Sequence, residues 1–154
     1  MIWIKAGPLR PVDINSTIRG GVYRMSGLGR VMEYIVQNFN LTNEWNILRL
    51  ICGLFLIPHI YAKFYVPEAL GFFVAAKFNP PAFWMYTAGV IETVLATGLI
   101  FGIATTYVGA LAALHLGVAA IAVYRVTGKW LWNIGGYEYC LFWAICCAVV
   151  AMHG

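Results

Sequence analysis

The stretch AFWMYTAGVIETVLATGLIFG, residues 82–102, is separated by a single residue from ATTYVGALAALHLGVAAIAVY, residues 104–124. Among acidic, basic and imidazole side chains, the first run contains Glu92 alone and the second His115 alone. A bilayer core about 30 Å thick is crossed by roughly 20 helical residues, so each run is long enough to span it. Both are continuously apolar, whereas barrel strands alternate apolar and polar positions over about ten residues. Helices are therefore expected, because a helix satisfies all its backbone groups within one segment.

Working outward, NILRLICGLFLIPHIYAKFY at residues 46–65 forms a third such run, and Gly136–Met152 a fourth. The whole chain of 154 residues is 62% hydrophobic and 10% charged, with a mean hydropathy of +0.77. That composition excludes a soluble domain of this size. The expected fold is all-α: an integral membrane four-helix bundle, with an N-terminal arm and an interfacial amphipathic helix. The division is residues 1–45 for the arm and 46–154 for the membrane domain.

The N-terminal segment holds Lys5, Arg10, Arg19, Arg24 and Arg30, half of the ten Lys and Arg residues. Within it Leu28, Val31, Met32, Ile35, Val36 and Phe39 recur at helical spacing on one face, as in a helix lying at a membrane surface. The part before it, with Pro8, Pro11, Gly20 and Gly21, reads as an extended arm. MIWIKAGPLRP lacks the apolar core of a cleavable signal. Basic residues favour a cytoplasmic N-terminus, and an even number of spans places the C-terminus beside it. The sequons at Asn15 and Asn40 then read as chance matches. The expected location is the bacterial or archaeal cytoplasmic membrane, with multiple passes.

Cys52, Cys140, Cys146 and Cys147 show neither CxxC nor zinc spacing and read as small apolar packing residues. Gly98 with Gly102, and Gly109 with Ala113 and Gly117, form small-xxx-small rows that let the second and third spans approach closely. The Phe- and Pro-rich link VPEALGFFVAAKFNPP, residues 66–81, reads as a lid or an interfacial half-helix.

An ionised side chain at the bilayer centre costs at least about 2.5 to 3.5 kcal/mol on insertion scales, so each one needs a partner or a purpose. Six are expected within the spans: Arg49, His59, Lys63, Glu92, His115 and Glu138. At 1.5 Å rise per residue, Glu92 and His115 both lie near the midplane, where a carboxylate and an imidazole can exchange a proton. They are the candidate catalytic pair. Lys63 and Glu138 share a level near the outer surface, where Lys63 would neutralise Glu138 in the first turn of its helix. Glu138 is thus either a capped and paired structural carboxylate or part of a ligand site. Arg49 lies near the inner surface, within reach of lipid phosphates. His59 follows Pro58, whose ring bends the helix, and can point into the cavity of Glu92 and His115. Arg49, His59, Lys63 and Glu138 form the expected buried polar or ligand-binding network. Bis-His haem needs both imidazoles at one depth, and His59 lies farther out than His115. No metal site is expected.

In RLICGLFLIPHIYAKF, GVIETVLATGLIFG, LAALHLG and GGYEYCLFWA, the order of Arg, Lys, Glu, His and Gly-Gly-x-Glu resembles the DoxX family of small four-helix membrane proteins. The resemblance covers about residues 46–154, and the N-terminal extension departs from the family pattern. It implies kinship with the membrane subunit of thiosulfate:quinone oxidoreductase and with proteins handling sulfur compounds or oxidative stress. It also implies that Arg49, Lys63, Glu92, His115 and Glu138 form the polar interior.

Two functions follow as expectations. One is a membrane subunit tied to quinone-linked redox chemistry of sulfur compounds, with Glu92 and His115 handling protons. The alternative is a non-catalytic accessory or scaffold subunit of a larger membrane complex, its arm clasping neighbours. No cofactor is evident, a quinone is the candidate substrate, and the expected partners are the lipid bilayer and other membrane protein subunits. Nothing points to nucleic acid.

Overall fold

The computed structural model describes residues 27–154. The extended arm expected before them, with its five-residue basic cluster apart from Arg30, lies outside the described residues. Helix α1, Gly27–Asn38, takes up the amphipathic stretch read from the sequence and carries its apolar side chains on one side. After it come α2 (Glu44–Leu54), α3 (Leu56–Tyr65), α4 (Ala69–Ala75), α5 (Pro81–Phe101), α6 (Thr105–Thr127), a single 3-10 turn (Trp132–Ile134) and α7 (Glu138–His153). All regular structure among the described residues is helical.

Three helical stretches are long and apolar enough to cross a membrane: Glu44–Tyr65, which comprises α2 and α3, then α5 and α6. The fourth apolar helix, α7, has 16 residues and packs along α6. One core joins all of them, with Cys52 and Leu56 from the first stretch, Leu95 and Leu99 from α5, Ala112 and Leu116 from α6, and Trp143 and Cys147 from α7. The outward surface is more apolar than parts of the interior. Val90, Val94, Leu111, Leu114, Phe142 and Ile145 are exposed, while Gly89, Glu92, Ala96, Gly98 and Gly109 are buried. That inversion fits helices whose outer face meets lipid tails, where small residues rather than large ones make the helix contacts. Exposed Thr97 bonds its hydroxyl to the Thr93 carbonyl at 2.8 Å, one turn back, which gives that hydroxyl a partner within its own helix.

The first stretch breaks at Phe55 because Pro58 has no N–H to give the carbonyl of Leu54, four residues earlier. α2 ends there and α3 restarts one residue later. The start of α2 is capped by Asn43, whose side chain accepts from the Trp45 N–H at 3.0 Å. The link after α3, read from the sequence as a lid or an interfacial half-helix, contains the short helix α4.

The glycine rows work differently from the expectation. Gly98 does pack α5 on α6, since a Cβ there would lie 2.9 Å from the Val108 side chain. Gly109 instead seats α6 on α7, where a Cβ would come 2.9 Å from the Ala151 nitrogen and 3.0 Å from the Cys147 carbonyl. Gly117 faces open space. The spacing identified small residues, but 3.6-residue periodicity does not say which neighbour a face meets. Gly109→Ala is expected to destabilise the protein by about 1–3 kcal/mol, because its contacts are backbone atoms that cannot turn aside. Gly117→Ala, which meets nothing and improves helix propensity, should leave thermal unfolding in detergent unchanged or slightly raised.

Candidate functional site

Glu92 stands in the middle of α5 and is 5% exposed. Gly89, one turn earlier, brings α3 close: a Cβ there would lie 2.8 Å from the Phe64 ring and 3.4 Å from the Lys63 Cβ. Lys63 crosses this gap, and its Nζ donates to Glu92 Oε2 at 2.8 Å. On the other side, His115 of α6 places Nε2 3.1 Å from Glu92 Oε1. With its proton on Nε2, His115 donates to the carboxylate. Three helices therefore meet at one carboxylate whose two oxygens each have a partner.

The pairing of Glu92 with His115 agrees with the depths read from the sequence, whereas that of Lys63 with Glu138 does not. Side chains in a helix lean toward its N-terminus, so Lys63 reaches back along α3, where its Nζ also donates to the His59 carbonyl at 3.4 Å. The ammonium thus sits about a turn deeper than its Cα, at the level of Glu92. Depth counted from Cα positions misses that reach.

Glu138 closes the loop before α7. Its Oε2 accepts from the Trp132 N–H at 3.3 Å, while its own N–H donates to the Trp130 carbonyl at 3.1 Å. The Gly136 N–H donates to the Leu131 carbonyl at 2.8 Å, and a Cβ at Gly136 would overlap the Trp130 carbonyl. The Gly-Gly-x-Glu motif is thus a backbone latch, and because the loop folds back on itself, helix starts at Glu138 rather than at Gly136.

Arg49 also departs from expectation. It is 3% exposed rather than turned outward to lipid phosphates, and its guanidinium donates to the carbonyls of Leu99, Ile100 and Asn38. Those carbonyls lie at or beside the ends of α5 and α1, where intrahelical donors run out. Arg49 therefore stitches helix ends together, about 10 Å along α5 from Glu92 by the helical rise.

Lys63, Glu92 and His115 face a cavity of about 300 Å³. His59 lines it as well, its ring 5.4 Å from that of Trp143, so the residue after Pro58 does share the cavity of Glu92 and His115. Phe72 and Phe73 of α4, with Phe78 after it, supply an aromatic wall. Cys140 and Trp143 of α7 complete the opposite side. Cys140 and Trp143 carry no sequence signal beyond apolarity, and their role became visible only once α7 was placed. The structure thus brings together Lys63, Glu92, His115 and His59, and leaves Arg49 and Glu138 outside.

Breaking the triad has an asymmetric expected cost. Lys63→Met leaves a buried carboxylate with one partner and is expected to destabilise by about 3 kcal/mol, the lower range for breaking a buried ion pair. Lys63→Met with Glu92→Gln removes both charges and should recover most of that loss in detergent unfolding.

The family model described as DoxX matches residues 45–125, more than half of the chain. The match takes in Arg49, His59, Lys63, Glu92 and His115, and stops before the Glu138 latch. No curated protein and no solved structure matches the chain. With three apolar helices of membrane-spanning length and that match across them, this multi-pass membrane protein belongs to the DoxX family.

Proposed function

We propose that the protein is a membrane subunit for quinone-linked redox chemistry, in which the Lys63–Glu92–His115 triad binds the quinone ring and handles its protons. The observation that carries this reading is the cavity itself: a mostly aromatic and aliphatic chamber into which an ammonium, a carboxylate and two imidazoles converge. Ligand sites are commonly apolar pockets with a few placed polar groups, from about 300 Å³ upward. Lys63 can donate to a quinone oxygen, and His115 can donate a proton that Glu92 then helps restore.

Reduction of a quinone adds two electrons and two protons, converting two ring C=O groups to C–OH. In this reading the protons pass through His115 and Glu92. The electrons come from a reduced sulfur compound oxidised on a partner subunit. α7 serves as the fourth span, giving a four-helix bundle whose family domain runs over residues 46–154. Its 16 residues rise about 24 Å, and exposed Trp130 and Trp132 just before it suit the aromatic belt of a membrane interface. Both termini are cytoplasmic, in a bacterial or archaeal cytoplasmic membrane, and the basic N-terminal segment meets neighbouring subunits.

One observation favours the scaffold alternative: both Glu92 oxygens are already partnered, as a purely structural carboxylate requires. Kinetics separates the two. In native membranes supplied with thiosulfate and quinone, Glu92→Gln and His115→Ala are each expected to slow quinol formation by about 10²-fold, the usual lower range for losing a positioned acid or base. A double variant that assembles normally and reduces quinone at the unmodified rate would leave the triad as a scaffold.

A further inference from the structure

We propose that the cavity's ligand is a molecule of two parts, a polar ring and an apolar tail, and that the tail leaves sideways between α5 and α6 into the bilayer. This rests on the quinone reading above and specifies the class of quinone, a tailed one that enters from the membrane.

α5 and α6 touch where Gly98 meets Val108, near their short connection. Farther along, contact is made by long side chains, as where His115 reaches Glu92. There a second cavity of about 590 Å³ opens between the two helices. Phe73, Phe78, Ala88, His115 and Val118 line both cavities, so the chambers adjoin across shared walls. His115 is the one acidic, basic or imidazole side chain along the second, which is otherwise almost wholly apolar. Its far border is formed by Ile91, Val94, Leu111 and Leu114, all exposed on the surface of the membrane-spanning helices.

The sequence of environments is therefore the triad, with His115 at its edge, then hydrocarbon, then lipid. The hydrogen-bonding side chains along that path are His115, Thr87 and Trp84, and the Trp84 indole N–H already donates to the Asn79 carbonyl at 3.3 Å, so a small polar solute finds little to hold it. A ring with an alkyl or isoprenoid tail matches every segment of it. Because lipid is as apolar as the groove, seating the tail adds little affinity of its own. What the groove supplies is passage for a tail while the head is held. Obstruction should accordingly hurt a tailed ligand and spare a tailless one.

The test uses the full chain in lipid nanodiscs and two probes, a decyl-tailed benzoquinone and the same ring without a tail. Ile91→Trp and Leu114→Trp each narrow the groove at residues that do not line the triad cavity. In both variants the tailed probe is expected to bind at least ~10-fold more weakly, a change of one order in Kd, while the tailless ring keeps its affinity. That retained binding also shows that the variants are folded. Unchanged binding of the tailed probe in both variants would overturn the inference, with the groove left to acyl chains of the bilayer. Loss of both probes in both variants would overturn it too, since head and tail paths would not be separable. If neither probe binds the unmodified protein, the quinone reading itself fails and takes this inference with it.

Discussion

A carboxylate in the middle of a membrane helix has no water to turn to, and donors from neighbouring helices must meet it there. Glu92 imposes that condition on α3, α5 and α6 together. One oxygen takes Lys63 and the other His115, so rotating any of the three helices by a fraction of a turn would strand a charge. Gly89 makes the geometry attainable by letting α3 lie against α5. The buried core of Leu56, Leu95, Leu99, Leu116 and Trp143 fixes the packing of these helices, and Glu92 adds a directional constraint that apolar contacts lack.

The same reasoning explains Arg49 and Glu138, whose side chains hydrogen-bond to backbone groups. Arg49 collects carbonyls at helix ends, and Glu138 exchanges hydrogen bonds with the loop that precedes its helix. Both sit where a helix runs out of its own partners. Their charges thereby hold the two ends of the bundle, while the central triad is left beside a cavity.

Close contact of α3 with α5 at Gly89 coexists with a cavity next to the triad. α4 folds its phenylalanines over that space, and α7 contributes Trp143 and Cys140. An arrangement stable enough to bury an ion pair thus also presents that pair to a small ligand. Holding the bundle together and receiving a molecule are compatible roles for the same side chains.

Apolar run length determined from the sequence alone that the chain is helical and membrane-spanning, and the cost of burying charge singled out Glu92, His115, Lys63, His59, Arg49 and Glu138. Depth along the helix matched Glu92 to His115, whose Nε2 lies 3.1 Å from the carboxylate. Tertiary structure decided the rest. Lys63 reaches back a turn and takes Glu92 instead of Glu138, Gly109 turns toward α7 instead of α5, and Arg49 folds inward onto carbonyls. Hydropathy reports only how far along the bilayer normal a residue lies. Which neighbour it meets depends on helix rotation and side-chain reach, and those are settled only when all the helices pack at once.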